Sequence, residues 1–321
     1  MKYRYLLLVG IIGQSFAVNF TGDFTASASC PAYTSKNNLT NPGDVRTVVG
    51  TKYVISEANK LPAEWYRVSI AGAPENNLRW VEAKCGTVES KETTSCSLDS
   101  GKADSYVLAL SLQPGFCETG GYAKGKPECL NLAKNSIYRQ EFGLHGLWPN
   151  QDACGTNYGF CNSTKQQTNF CDYAPLALNS DVSHVLSTYM ASYAYGSCLE
   201  RHEWYKHGTC QVKDQSSYYQ LAITLTHQVD ETKFKNYVIN NMGNTVSLDS
   251  LKQNFDASFG VGMNKKVQFL CTNGILTDLY INMPNLDKIT QTNFVTLLGQ
   301  AADNKASSCG SQVKISNFYV Q

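Results

Sequence analysis

Short runs of alternating apolar and polar residues dominate the first third of the chain and predict β-strands. Residues 46–56 alternate around a central glycine, and residues 65–70 and 79–85 form two further runs between polar loops. No helical period occurs in this region. The pattern therefore predicts a small all-β barrel over residues 18–100.

The barrel region ends in a polar stretch, residues 89–104, which predicts a linker. A disulfide between Cys85 and Cys96 would hold this linker against the barrel.

From Ser105 onward the pattern changes to α+β. Residues 106–112 read as a buried strand, and Asn273-Gly274 between two apolar runs predicts a β-hairpin. Ser247 and Gly260 have the positions of an N-cap and a terminating glycine. Helical spacing is found over residues 181–193, 216–229, 232–241 and 247–259.

The first residues have the layout of a secretory signal peptide. Lys2 and Arg4 precede the apolar run 6–12, and Ser15-Phe16-Ala17 offers small residues for cleavage after Ala17. The run is shorter than the roughly 20 residues that span a bilayer, so a membrane anchor is the weaker interpretation. We expect residues 1–17 to be removed, no membrane span in the mature chain, and a secreted or periplasmic protein.

Cysteine content and net charge indicate whether the cysteines bind a metal and what kind of RNA contact the protein can make. The 12 cysteines form no CxxC pair, which favours disulfides over a metal site. Spacing suggests Cys117–Cys129 and Cys271–Cys309 as local pairs. The formal charge is +1 and the mature chain would be nearly neutral. Such a chain is not expected to coat nucleic acid electrostatically, so any RNA contact should be made in a cleft.

Histidine is scarce, and three of the five histidines lie in two short aromatic segments. The first segment is residues 142–150 (FGLHGLWPN), with His145, and the second is 202–210 (HEWYKHGTC), with His202 and His207. Imidazoles both give and take protons near neutral pH, so this clustering indicates acid–base chemistry. We interpret His184 and His227, outside both segments, as structural or surface residues.

On a helix, the second segment places its ionisable groups on one arc. His202, Glu203, Lys206 and His207 fall within about 140°, and Glu203 can reach His207 one turn later. A solvated charged face is the simpler alternative. A zinc site is disfavoured because the two histidines are five residues apart, whereas a zincin helix needs four. No metal or other cofactor is expected.

These groups suit RNA cleavage through the substrate's own 2′-hydroxyl. Such a reaction needs a base for that hydroxyl, an acid for the 5′-oxygen that leaves, and positive charge near the phosphorane.

The two segments resemble the signature segments of the ribonuclease T2 family. HGLWP at 145–149 and HEWYKHGTC at 202–210 are specific, and YVLALSLQPGFC at 106–117 is similar to the bacterial periplasmic ribonuclease I branch. The resemblance covers roughly residues 101–321 and implies an α+β ribonuclease T2-type catalytic domain. Residues 18–100 resemble bacterial SH3-like domains, whose ligand could be the cell wall or a protein.

The resemblance implies an endoribonuclease of low base specificity that acts on single-stranded RNA. It would form 2′,3′-cyclic phosphates and then 3′-phosphate ends. By position, His207 would be the general base and His145 the general acid. Glu203 and Lys206 would stabilise the phosphorane, and His202 would hold a phosphate.

Two further residues are implied in substrate binding. Trp148 would stack the base on the 5′ side of the cut, and a core tryptophan is the alternative. Asn150 stands where many members carry an aspartate that helps to bind a base, and Gly143 stands where threonine is common. These departures concern base preference. We expect a monomer.

Two other hypotheses remain at this stage. In one, the chain acts chiefly as a binding protein through residues 18–100. In the other, it is a metal-dependent hydrolase, which EDTA would inhibit.

Overall fold

The computed structural model describes residues 22–60, 62–74, 77–89, 96–154, 157–289 and 292–321. The predicted signal peptide lies outside these residues. The chain divides into two compact units. The described residues of the first unit run to Cys96 and include Ala153 and Cys154, and the second unit takes in the remainder.

The first unit is an antiparallel sheet with the order β4-β3-β2-β1-β5. Its strands are β1 (Gly22–Ala26), β2 (Lys52–Ala58), β3 (Trp65–Ser69), β4 (Leu78–Glu82) and β5 (Gly86–Glu89). Strand β2 alternates exposed and buried residues, as its sequence predicts. Phe24, Ile55, Val68 and Val81 form the core of the unit. The all-β character is as predicted, and the likeness to SH3 domains stays a prediction.

The second unit is α+β and is built on a six-stranded sheet with the order β7-β6-β10-β11-β8, with β9 paired to β10. The strands are β6 (Ser105–Ser111), β7 (Gly143–Asn150), β8 (Thr245–Ser247), β9 (Val267–Thr272), β10 (Ile275–Pro284) and β11 (Gln312–Lys314). β9 and β10 form the hairpin predicted at Asn273-Gly274.

Helices surround this sheet. They are α1 (Gln113–Phe116), α2 (Pro127–Leu130), α3 (Ser180–Tyr189), α4 (Ala191–Ala194), α5 (Leu199–Lys206), α6 (Gln215–Asp230), α7 (Lys233–Asn240), α8 (Leu248–Phe259) and α9 (Phe294–Gln300). Ser247 caps α8 and Gly260 follows its end, as predicted. The single helix predicted over 181–193 is wrong, because Met190 is extended and buried between α3 and α4.

Helix α6 fixes the two elements that carry the candidate site. The Tyr218 hydroxyl donates to the carbonyl of Leu147 on β7 at 2.6 Å. The Tyr219 hydroxyl donates to the carbonyl of Glu200 on α5 at 2.5 Å. Both tyrosines are fully buried, so the strand and the helix are held to one rigid core.

Six disulfides pair all twelve cysteines: Cys30–Cys85, Cys96–Cys154, Cys117–Cys129, Cys161–Cys210, Cys171–Cys198 and Cys271–Cys309. The two local pairs predicted from spacing are confirmed. The predicted pair Cys85–Cys96 is wrong, because Cys85 lies in the core of the first sheet beside Cys30. Full pairing suggests a protein made for an oxidising compartment.

Within the described residues, no helix combines the length and the apolar character that a membrane span requires.

Candidate active site

A β-bulge turns His145 toward the site. Strand β7 pairs with β6 in regular register from Asn150 to Gly146, and the register then shifts by one residue before Leu144. Leu144 and Leu147 are both buried, whereas His145 shares the partly exposed face with Trp148. In an unbroken strand His145 would point to the face of Leu147. The extra residue of the bulge therefore re-aims the imidazole.

Helix α5 brings the second sequence segment to the same face. It begins after Cys198, which has a left-handed conformation (φ 63°), and ends at His207 as C-cap. A 3-10 turn follows at Gly208–Cys210. Both ends are held by disulfides, from Cys198 to Cys171 and from Cys210 to Cys161. The helical conformation predicted for this segment is confirmed as far as Lys206.

Glu203 is the centre of the contact between α5 and β7. Its carboxylate is buried and accepts a hydrogen bond from the Trp148 indole nitrogen at 2.5 Å. A Cβ at Gly146 would overlap both this carboxylate and this indole nitrogen. Glycine is therefore required for helix and strand to approach so closely. Burial raises the pKa of Glu203 despite the opposing effects of His145, Trp148 and Lys206.

Trp148 also joins the two histidines. The His207 ring stacks on the indole at 5.2 Å between centroids and 26° between planes. The His145 ring meets the same indole edge to face at 5.3 Å. Because one side chain packs against both imidazoles, the structure brings together the histidines of the two sequence segments. The indole face on His207 is covered, so base stacking on Trp148 could use only the other face.

The environment of His145 favours its protonated form. Its Nδ1 lies 3.2 Å from Asp278 Oδ1, and its Nε2 lies 3.9 Å from Glu203 Oε1. Burial favours the neutral ring, but the hydrogen bond to Asp278 and the charges of Glu203 and Asp278 outweigh burial and the repulsion of Lys206. The pKa of His145 is therefore raised above its usual value.

The environment of His207 favours its neutral form. Its Nδ1 is buried without a hydrogen-bond partner among the described residues. Burial, followed by the charges of Lys206, His202 and His145, holds the pKa of His207 well below its usual value. Glu203 bonds Trp148 rather than His207, although the two residues are one turn apart. The two histidines are thus driven toward opposite protonation states.

His202 stacks on Phe170 at 4.1 Å and 17°, on a side of α5 separate from Trp148. Burial and the positive charges of Lys206 and His145 lower the pKa of His202 to about 4. At neutral pH this ring is uncharged.

The remaining predicted residues take different positions. Lys206 is half-buried at the last turn of α5, where its charge depresses the pKa of both His202 and His207. Asn150 ends β7, and its side-chain amide donates to the Trp148 carbonyl at 3.3 Å. Away from the site, His184 is exposed and His227 bonds the Tyr189 hydroxyl.

Sequence reasoning missed three residues of the site. Asp278 and Tyr280 come from β10, and Tyr280 packs edge to face on Trp148 at 4.8 Å. Phe170 comes from the segment before α3. The available signal was in β10, where Asp278 is the one charged residue of a mostly apolar strand.

A cavity of about 210 Å³ adjoins His145 and Asp278. Its walls are mostly apolar and include Phe116, Tyr138 and Leu144, with Phe170 at the side of His202. Such a surface can hold a planar heterocycle by stacking. Among the described residues, no group of three or more His, Cys, Asp or Glu side chains is arranged to hold a metal ion.

The known proteins to which this chain is similar are ribonucleases. The sequence model of the Ribonuclease T2 family matches residues 103–296, a range that contains every site residue named above. The chain is 27% identical to Ribonuclease I of Escherichia coli over 203 residues, which are 57% of this chain and 76% of that protein. It is 36% identical to extracellular ribonuclease LE of Solanum lycopersicum over 35% of this chain and 47% of that protein.

The crystal structure of the self-incompatibility associated SF11-RNase of Nicotiana alata aligns with a TM-score of 0.46 and 16% identity. That alignment covers 66% of this chain and 98% of the other.

Proposed function

Because the chain belongs to the ribonuclease T2 family and is a ribonuclease of that type, we propose that it is an exported endoribonuclease that cuts single-stranded RNA without a metal. One observation carries this proposal: His145 and His207 pack against the same indole and are driven to opposite protonation states. Such a divergence is what a general acid and a general base require.

The first step is a transphosphorylation. His207 takes the proton of the 2′-hydroxyl, whose oxygen then attacks the adjacent phosphorus. The bond from phosphorus to the 5′-oxygen breaks, and Nε2 of His145 gives its proton to that oxygen. The products are a 2′,3′-cyclic phosphate and a free 5′-hydroxyl, and slow hydrolysis of the cyclic ester would leave a 3′-phosphate.

Two groups on α5 would stabilise the phosphorane formed on the way. Lys206 supplies positive charge. Glu203 would face the phosphorane from the same helix, with its buried carboxylate held in place by the Trp148 indole nitrogen. His202 would hold a phosphate.

Low base specificity is supported by the cavity beside His145, because stacking on apolar and aromatic walls accepts every base. Trp148, which is partly exposed, would take the base on the 5′ side. Secretion is supported by the six disulfides. The monomeric state and the ligand of the first unit stay predictions.

The direct test uses a short RNA oligonucleotide and the same oligomer with 2′-deoxy sugars, both in excess EDTA. We expect cleavage of the RNA only, with cyclic or 3′-phosphate ends that mass spectrometry identifies. Cleavage of the deoxy oligomer would contradict attack by the 2′-hydroxyl. Loss of RNA cleavage in EDTA would favour the metal-dependent alternative.

The pH profile gives a second prediction. Activity needs neutral His207, so kcat/KM rises with pH through a pKa below 6.5. It also needs protonated His145, so kcat/KM falls again through a pKa above 6.5. We therefore expect a bell with a broad plateau around pH 6.5. A profile with one limb only, measured on a dinucleotide substrate, would contradict the assignment of two histidines.

A further inference from the structure

A carboxylate on β10 holds the nitrogen of His145 that faces away from Glu203. Asp278 Oδ1 and His145 Nδ1 are 3.2 Å apart, a distance at which a hydrogen bond forms. Both side chains are mostly buried, with 21% and 29% of their surface exposed. The two residues come from strands that do not touch, since β6 runs between β7 and β10.

The bond fixes the ring of His145. With a proton on Nδ1 donated to Asp278, the other nitrogen, Nε2, is the one that points toward Glu203 at 3.9 Å. A carboxylate in this position selects the tautomer and the orientation of an imidazole, because rotation of the ring would break a charge-assisted bond.

Among the described residues, the Asp278 side chain makes no hydrogen bond that would compete with the one to His145. His145 is the partner that its side chain bonds, and the backbone of Asp278 pairs with Ser111 whatever the side chain is. An asparagine at this position would keep the strand and a polar contact, but it would lose the charge. A role in folding alone does not account for a carboxylate placed against a histidine of the site.

Charged and titratable groups face His145 from β10 and α5, and Lys126 and Glu128 at α2 line the cavity beside it. Asp278 and Tyr280 lie on β10, Trp148 on β7 packs against the ring, and Glu203 and Lys206 face it from α5, with His202 and His207 farther along that helix. Glu203 and Asp278 are the two negative groups that raise the pKa of His145, and Asp278 supplies the hydrogen bond as well. Without Asp278, Glu203 would be the negative group left to favour protonated His145, while burial and the charge of Lys206 would favour the neutral ring.

We propose that Asp278 is the positioning residue of the general acid: it holds His145 with Nε2 directed at the 5′-oxygen that leaves. This inference rests on the proposed function. In the step, the proton moves from Nε2 to the leaving oxygen as the bond from phosphorus to that oxygen breaks. The neutral ring then keeps its proton on Nδ1, bonded to Asp278, which leaves Nε2 free to accept a proton from water in the hydrolytic step.

The test compares two substrates that differ only in the leaving group. Uridylyl-3′,5′-adenosine releases an alkoxide, which needs a proton from the acid. Uridine 3′-(4-nitrophenyl phosphate) releases nitrophenolate, which leaves unprotonated. For Asp278→Asn we expect kcat/KM to fall about 10- to 100-fold on the dinucleotide, part of the typical effect of a general acid, and to change less than about threefold on the nitrophenyl ester.

The pH profile of Asp278→Asn is a second readout, which a merely structural role would not move. On the dinucleotide, the limb at high pH should shift to lower pH, because the acid loses its proton more easily without the carboxylate. Asp278→Glu keeps the charge and should restore part of the activity. Asp249→Asn, an exposed aspartate on α8, is the matched control and should behave as the unaltered protein on both substrates.

The outcomes separate the inference from the function on which it rests. His145→Ala should show the same dependence on the leaving group, and His207→Ala should be impaired on both substrates. If His145→Ala is equally impaired on both, His145 is not the acid and the proposed function fails. If His145→Ala shows the dependence and Asp278→Asn does not, only the inference is overturned. Should Asp278→Asn not fold, an equal loss on both substrates for Asp278→Glu overturns it instead.

Discussion

His207→Ala is expected to lower kcat/KM on RNA about 10²- to 10⁴-fold, the range typical of a lost general base. The imidazole is neutral near pH 6.5 because burial and the neighbouring positive charges depress its pKa, so it is ready to accept the 2′-hydroxyl proton. The alanine variant leaves nothing in its place that could do so. Steady-state kinetics on a defined oligonucleotide, with circular dichroism to verify the fold, measures the effect.

His184→Ala is the matched control, because it removes an exposed imidazole from α3 and should retain full activity. The double variant His145→Ala/His207→Ala gives a further check. Acid and base act in one step, so the double variant should lose little more than the worse single variant. A His207→Ala protein with nearly unchanged turnover would remove this residue from the reaction.

Gly146→Ala is expected to lower kcat about 100-fold with the fold retained, a typical result of displacing reacting groups by about 1 Å. The added methyl group would occupy the space of the Glu203 carboxylate and the Trp148 indole nitrogen. One of the two side chains must move, and either movement disturbs the Glu203–Trp148 hydrogen bond that joins α5 to β7 beside both histidines. The mutation removes no group of the site, but it displaces the Glu203 carboxylate or the Trp148 indole, so its effect reports on the placement of these two side chains.

Gly310→Ala serves as the control for this substitution, because a Cβ there meets no atom within 4 Å. Kinetics and thermal unfolding of both variants would be compared. Retention of full kcat in Gly146→Ala would show that the close approach of helix and strand is not needed for catalysis. A loss of kcat with an unfolding temperature close to that of Gly310→Ala would support the geometric explanation.

Local patterns predicted the elements whose causes are local. Ser247 and Gly260 delimit α8 because capping depends on a few adjacent residues, and Asn273-Gly274 makes its hairpin for the same reason. The histidines could be grouped because each lies in a short distinctive segment. The helix that carries Glu203 and Lys206 followed from spacing, and His207 is its C-cap.

Other features depend on partners far along the chain. Asp278 meets His145 across 133 residues, and only the pairing of β6 with both β7 and β10 brings them together. The bulge at His145 cannot be predicted from the sequence, since strand periodicity alone puts this residue on the face of Leu147. The partner of Cys85 likewise depends on the fold of the first sheet, which spacing does not encode.

The disulfides at the two ends of α5 bear on where the enzyme can be active. This helix carries Glu203 and Lys206 and ends at His207, and a disulfide typically adds about 2–4 kcal/mol to the stability of a folded protein. In a reducing cytosol neither bond persists. An exported chain would therefore reach full ribonuclease activity only after it leaves the compartment that holds the transcripts and ribosomes of the producing cell. Formation of the disulfides would in this way protect the cell's own RNA from degradation.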